Sequence, residues 1–399
     1  MLLHSIYLRN FLSYGDEPPE TATLALRPLN VLIGPNASGK SNLLEAFALL
    51  KHAPGHLQKP IREGGGLRRW LFKSEDGDLA LGAQVHVCVP YASKAADTLE
   101  YSLGISLREE GRGPFFIDFE TLSYGGRKDA QRPHLNTLYT NAEGQKYLRN
   151  ARVPGETELN PIKADDDKSI LAQRKDPEQY PELTYLGEQF EKIQLYRNWT
   201  FGHYAPVRQP CRADLPNNWL EPDTGNLPLV LNRLGRDYAA KEKLLKALQK
   251  LYEGLEDYHV DIEGGTARLF FHEGCRFVPA TRLSDGTLRY LSLLAVLLHP
   301  SPPPLVCIEE PELGLHPDIL PGMAELLKEA STRMQLVVTT HSDILVDAMT
   351  DTPEAVLVCE KTPKGSRLRR LEAEHMKPWL EKYRLGELWM SGELGGTRW

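Results

Sequence analysis

Cysteine is scarce and scattered: Cys88, Cys211, Cys275, Cys307 and Cys359 are odd in number and form no C-x-x-C pair. That spacing excludes a zinc site and a disulfide framework, and fits a reducing compartment. Nowhere is there a run of about 18 apolar residues, the length needed to cross a bilayer. The opening MLLHSIYLRNF lacks the basic start and continuous apolar stretch of a signal peptide, so a cytoplasmic location without membrane contact is expected. Excess positive charge is missing as well. The 47 Lys and Arg against 54 Asp and Glu leave a net charge of -7, so any nucleic-acid contact must come from a local patch. Long heptad repeats are absent, which excludes coiled-coil arms. What remains is an ordinary globular composition, 41% hydrophobic and 25% charged over 399 residues, enough for two or three units.

The feature that organises the chain is GPNASGKS, Gly34 to Ser41, a G-x-x-x-x-G-K-[ST] phosphate loop between the apolar run 29–33 and a helical run of about 41–50. Gly34 and Gly39 let the backbone curl so that the N–H groups of Asn36, Ala37, Ser38, Gly39 and Lys40, and the following helix start, face phosphate oxygens. Proline at 35 contributes no N–H to that set. In such a loop Lys40 reaches the β and γ phosphates and the Ser41 hydroxyl ligates Mg2+.

Around it the chain alternates in character. Residues 2–11 and 22–33 read as strands, and 79–89, 99–107 and 115–119 read as an antiparallel β subdomain. Residues 120–180 are polar and rich in turn formers, so loops are expected, with Asp165, Asp166 and Asp167 as a solvated run rather than a metal cluster. Helices are expected over 185–199 and 228–255, the second with Leu234, Tyr238, Leu245, Leu248, Tyr252 and Leu255 as one apolar stripe. Strands 258–263 and 267–272 flank the hairpin signal Gly264-Gly265. Then LSDGT (283–287) opens a helix, LVCIEEPE (305–312) is an apolar strand ending in carboxylates, a helix covers 318–331, and a strand at 335–339 runs into Thr340, His341 and Ser342. Alternation would point Glu309 and Glu310 to opposite sides.

In this order the motifs resemble those of the ABC-type ATPases of the RecF and SMC group, in their compact form. GPNASGKS matches the Walker A loop, LSDGT the signature, VCIEEPE the Walker B strand, ELGLHP the D-loop and TTHS the switch-histidine region. The likeness covers residues 1 to about 50 and about 280 to 350, and the tail more loosely. It implies an α/β fold, a P-loop NTPase of ABC-ATPase head type. A mixed, mostly parallel core sheet is flanked by helices, with an antiparallel β subdomain and a helical insert. The implied units are 1–120, 121–256 as the insert, and 257–399. Two heads would clasp two ATP molecules, each between the Walker A loop of one and the signature of the other. By that resemblance Lys40 and 35–40 hold the phosphates, Ser41 and Glu309 attend Mg2+, and Glu310 polarises water. His341 contacts the γ-phosphate, and Ser284 and Gly286 contact it across the dimer. Arg9 to Phe11 are expected near adenine. Gln58 and Gln84 are the candidates for the glutamine that links nucleotide to the β subdomain.

The sequence departs from the family pattern at two positions. Glu309 stands where Asp is usual, one methylene longer. Asp285 stands where a second Gly is usual, so either its side chain turns away or the contact across the dimer is weakened. The resemblance implies a homodimer gated by ATP that acts on DNA in repair or antiviral defence. The 58 residues after His341 are too few for a nuclease domain, so cutting would need a separate effector subunit. Basic sets at Arg62, Arg68 and Arg69, and at Lys361, Lys364, Arg367, Arg369 and Arg370, are the candidate phosphate contacts. The alternative is an ATP-switched scaffold that controls a protein partner without DNA. The ATPase of a membrane transporter fits less well, because the insert is large.

Overall fold

A computed structural model describes residues 1–92, 97–108, 115–125, 136–142, 144–149 and 159–396. Its centre is a six-stranded sheet with strands in the order Gln194–Tyr196, Leu305–Glu309, Gln335–Thr339, Leu29–Ile33, Val356–Thr362, Gly365–Arg370. The first five run parallel and the last is antiparallel, folded back from its neighbour as a hairpin. Parallel strands are covered on both faces and so read as continuous apolar runs, which is why LNVLI and LVCI carry no polar alternation to speak of. Val31, Ile33, Val306, Ile308, Leu336 and Val338 enter one core, closed by helices Leu227–Leu234, Asp285–Leu297 and Leu320–Ser331. Leu32, Leu305, Cys307, Val337 and Leu357 enter the other, closed by helix Lys40–His52 and a second sheet.

That second sheet is antiparallel and eight-stranded, from Leu24–Ala25 and Ser5–Arg9 through Gly82–Pro90, Thr98–Ser106, Phe116–Tyr124, Thr137–Ala142 and Gln145–Leu148 to Asn160–Pro161. A third, small sheet holds the hairpin Asp257–Glu263 and Thr266–Glu273, turned by Gly264 and Gly265 at φ 55° and 78°. Both turn residues have positive φ, as a two-residue hairpin turn requires. The P-loop ATPase architecture of a head-type α/β fold is therefore present.

Several local expectations are corrected. The stretch 120–180 is not a run of loops: three further strands and helix Ile170–Gln173 lie in it, and Phe116–Tyr124 straddles residue 120. Its strands were hidden because they are short and polar, with Asn141 and Lys146 buried and Asn160–Pro161 exposed. Residues 126–135 and 150–158 of that stretch lie outside the described residues. The run Asp165 to Asp167, expected as solvated, is held by neighbours: Asp165 pairs with Lys168, Asp166 with Lys146, and Asp167 accepts from Gln58. The helix expected over 185–199 ends at Glu191 and gives way to the strand Gln194–Tyr196. The helix expected over 228–255 is two, Leu227–Leu234 and Tyr238–Gln249, because Asp237 caps the second by accepting from the Ala240 N–H. The break rotates Tyr238 out of the apolar stripe, to 80% exposure.

Candidate active site

The parallel strands deliver their carboxyl ends to one edge, where ligands of open α/β sheets bind. Gly34 and Gly39 sit at φ 144° and 111°. A Cβ on Gly34 would meet the Cys359 carbonyl oxygen at 2.3 Å, and one on Gly39 would meet Ser366 Oγ at 2.3 Å. The loop is thus pressed against the hairpin Val356–Thr362 and Gly365–Arg370. Ser366 Oγ and Cys359 Sγ donate to the Ser38 carbonyl, Tyr14 Oη donates to the Gly39 carbonyl at 3.0 Å, and Ser366 Oγ also reaches Ser13 Oγ at 2.7 Å. Burial pushes the Cys359 thiol up to about 11, so it stays neutral beside the loop. Asn36 and Ala37 are exposed at the tip, with Ala37 in the left-handed region at φ 64°. Ser38 is buried and its Oγ has no hydrogen-bond partner, a polar atom that a phosphate oxygen would satisfy.

Lys40 is 5% exposed and its Nζ donates to the carbonyls of Gly34 at 2.8 Å and Pro35 at 3.0 Å. Burial lowers its ammonium below the usual range, against the opposing pull of Cys359, Glu310 and Glu309. Ser41 Oγ donates to Glu309 Oε1. The hydroxyl and carboxylate expected to attend Mg2+ are therefore adjacent, and both are oxygen donors of the kind that hard cation takes. The residues fit the ion.

Strand Leu305–Glu309 stops one residue before Glu310, which adopts φ 47°. That left-handed turn costs about 1–2 kcal/mol in a non-glycine residue. It re-aims the side chain, whose Oε1 lies 3.5 Å from His341 Nε2, so the two neighbouring carboxylates serve different partners. The backbone is locked there by the Glu310 N–H donating to the Thr339 carbonyl at 3.0 Å. Glu312 fixes the other side: its Oε1 accepts from Thr340 Oγ1 and from the His341 N–H, both at 2.7 Å. Burial raises the Glu312 carboxyl, partly offset by those two donors.

The signature turn is built separately. Ser284 caps helix Asp285–Leu297 by accepting from the Thr287 N–H at 3.0 Å. A Cβ on Gly286 would meet the Gly314 carbonyl oxygen of ELGLHP at 2.8 Å, so glycine is needed for that close approach. Asp285 turns aside to Arg208, resolving the question its presence raised. Among the described residues, no hydrogen bond or ion pair joins Ser284, Asp285 or Gly286 to residues 34–41 of the same chain.

Three arginines were not singled out by sequence reasoning. Arg197 follows strand Gln194–Tyr196 and donates to Glu309 Oε2 at 3.2 Å and to Glu45 Oε1 at 3.0 Å. Arg208 donates to the carbonyls of Phe201 and Leu283 at 2.8 and 2.6 Å. Arg289 reaches the carbonyls of Trp199 at 3.2 Å and Glu310 at 3.4 Å. The signal for Arg197 was its place at the end of a strand, which the helical reading of that stretch concealed.

Other expectations are redirected. Phe11 is fully buried, edge-on to Trp70 at 5.5 Å, and Arg9 pairs with Asp16. The next residues, Leu12 and Ser13, instead line a cleft of about 440 Å³ beside the loop with Ala37, Asn42, Leu71 and Phe72. Gln58 faces Asp167, and Gln84 lies within strand Gly82–Pro90 opposite Arg9 and Gly104, so neither meets the Ser41–Glu309 pair. Of the basic sets, Arg62, Arg68, Arg69, Lys361, Lys364, Arg367 and Arg369 are exposed. Arg369 also donates to the Leu394 carbonyl, and the half-buried Arg370 donates to the carbonyls of Glu354 and Ala25.

A family model described as "AAA domain, putative AbiEii toxin, Type IV TA system" matches residues 29–86 and 211–347. The DNA replication and repair protein RecF of Acaryochloris marina is 28% identical over 224 residues, 55% of this chain and 50% of its own length. The chain thus spans about half the length of that curated relative. Among solved structures, an Smc head bound to the C-terminal winged-helix domain of ScpA superposes with a TM-score of 0.59 at 14% identity, covering 94% of this chain and 99% of that one. The Smc head of Pyrococcus furiosus with an extended coiled coil, bound to the C-terminal domain of ScpA, gives 0.52 at 14% identity over 96% and 99%. At such identities the likeness establishes the fold. With that fold, the family match and the RecF relative support an ABC-type ATPase of the RecF and SMC group.

Proposed function

We propose that the chain binds and hydrolyses ATP at composite sites of a head-to-head homodimer and acts on DNA. The observation that carries the hydrolytic part is the convergence of Lys40, Ser41–Glu309 and Glu310–His341 at one sheet edge. The triphosphate would lie along the N–H groups of 36–40, with Lys40 exchanging its two carbonyl acceptors for phosphate oxygens. The base would enter the cleft lined by Leu12, Leu71 and Phe72. Mg2+, held by Ser41 and Glu309, would neutralise charge on the β and γ phosphates. Glu310 accepts a proton from the attacking water, and His341 orients that carboxylate and donates to the γ-phosphate. The chain's contribution is positioning and fixed charge, as phosphoryl transfer to water requires.

The dimer is supported by the separation of the signature turn from the loop of its own chain. Ser284 and the Gly286 backbone would meet the γ-phosphate on a second copy. A role on DNA, in repair or antiviral defence and with a separate effector such as a nuclease, draws on the RecF relative and on the exposed Arg68, Arg69, Lys361 and Lys364. ATP hydrolysis measured with and without double-stranded DNA at two salt concentrations tests it. Stimulation that fades with salt is expected, since phosphate contacts release counterions. No DNA binding at low salt refutes the DNA part and leaves an ATP-switched scaffold acting on a protein partner.

A further inference from the structure

Both oxygens of the Glu309 carboxylate are already engaged. Oε1 accepts from the Ser41 hydroxyl and Oε2 from Arg197 Nε at 3.2 Å. The register of the sheet puts Arg197 there: Tyr196 stands opposite Ile308 in the parallel pair, so the next residue on each strand, Arg197 and Glu309, meet at the carboxyl edge. Asn198 then turns the chain away at φ 51°. The guanidinium is mostly enclosed, with 19% of its side-chain surface exposed, and Glu309 has 16%. Burial works against its charge, but Glu45 and Glu309 more than offset that. Glu45, one turn along the loop helix from Ser41, accepts from Arg197 Nη2 at 3.0 Å and is 30% exposed.

A guanidinium cannot give up its proton in a protein, and its planar fork can serve two carboxylates at once. A divalent cation at Ser41 needs the Glu309 carboxylate that Arg197 is already neutralising. We propose that Arg197 is a resident counter-cation, a positioning residue that keeps Glu309 from a divalent cation until a nucleoside triphosphate arrives with one. Glu45 is the acceptor that retains the guanidinium when Glu309 is released. The triphosphate supplies the negative charge that makes the exchange favourable, so metal loading follows nucleotide and does not precede it. This rests on the Mg2+ and ATP reading above.

Variants of Arg197 and of its second acceptor Glu45 separate this role from simple packing, because they move in opposite directions. Arg197→Gln leaves Glu309 and Glu45 without a cation, and the nucleotide-free protein should bind Mn2+ at least about tenfold more tightly, read from the electron paramagnetic resonance signal of free Mn2+. Glu45→Gln leaves Glu309 as the sole anionic partner of Arg197. The Mn2+ needed for half-saturation with ATP present should then rise severalfold, while Arg197→Lys falls between Arg197→Gln and the parent. If Arg197→Gln does not fold, the Glu45→Gln shift alone decides. Equal Mn2+ binding by parent and Arg197→Gln without nucleotide, or shifts of the same sign in both variants, overturns the proposal. A fluorescent ATP analogue titrated in EDTA keeps the two readings apart. Binding there with the wrong Mn2+ pattern refutes the counter-cation alone, and no binding with or without metal refutes the nucleotide site itself.

Discussion

Removing the Arg208 guanidinium should loosen the signature turn while leaving the phosphate loop intact. Its side chain is 6% exposed and donates to the carbonyls of Phe201 at 2.8 Å, Leu283 at 2.6 Å, Ala280 at 3.2 Å and Thr281 at 3.3 Å, as well as to Asp285. Hydrogen bonds to a charged group contribute about 1.5–3 kcal/mol each, and water entering the vacated space would recover part of that. Counting only the two short carbonyl bonds at the low end, Arg208→Ala costs about 3 kcal/mol. Asp285→Ala should cost about 0.5–1 kcal/mol, because that carboxylate is 66% exposed and its loss leaves four carbonyls on Arg208. Urea unfolding gives both numbers, and sizing with ATP in a Glu310→Gln background reads the turn itself. Arg208→Ala should lose the ATP-dependent dimer and Asp285→Ala should keep it. If Asp285→Ala costs as much as Arg208→Ala, or Arg208→Ala costs under about 1 kcal/mol, the turn is not held through its backbone as described.

The loop and the catalytic pair have their own tests. Lys40→Ala should weaken ATP binding by about a hundredfold, some 2–3 kcal/mol for a buried charge-assisted contact, measured by calorimetry; unchanged affinity would remove the basis of the nucleotide site. Glu310→Gln should slow hydrolysis by about 10²–10⁴ and trap an ATP-bound dimer, and a chain that stays monomeric with ATP would refute the composite site. Lys51, whose Nζ donates to Gln194 Oε1 at 3.1 Å, is pushed down by burial from 10.5 to about 8. From pH 8 to 10.5 the unfolded chain therefore holds a proton that the folded chain lacks, so stability rises with pH across that window. The parent should gain on Lys51→Met there by at most about 3 kcal/mol in urea titrations, and parallel pH profiles would refute the burial argument.

The parts legible in the sequence were those where periodicity and chemistry coincide. LNVLI before GPNASGKS and LVCI before Glu309 are short apolar runs that end in polar residues, and both are parallel strands ending at the site. The strand Gln194–Tyr196 was not legible, because three residues carry too little pattern to compete with the helical stripe before them. Arg197 was lost with it: its meeting with Glu309 is set by a pairing register across more than a hundred residues, which local composition does not encode. The strands beyond residue 120 pair in sequence as a meander, but TLYTNA and QKYL are short and bury polar Asn141 and Lys146 among their apolar residues, so they read as loop. The resemblance put Arg9 to Phe11 near adenine, and the Phe11 ring packs in the core against Trp70, a burial that local sequence does not reveal.

The arginines also explain why one half of the site does not simply close on the other. The loop is anchored from the hairpin side by Ser13, Cys359 and Ser366, and the signature turn from the other side by Arg208 and the close approach of Gly286 to Gly314. Among the described residues, no hydrogen bond or ion pair joins the two anchored segments directly. What lies between the anchors is the segment from Arg197 to Arg208. It touches Glu309 through Arg197, meets Arg289 through the Trp199 carbonyl, and reaches the signature turn through Arg208. Arg289 in turn contacts the Glu310 carbonyl, so the segment links Glu309, the strand end at Glu310 and the signature turn. A change at Glu309 on loading nucleotide thus has a short covalent and hydrogen-bonded route to Ser284. In a two-fold dimer that route would carry the state of one site to the turn that completes the other, because each chain presents the same pair of surfaces.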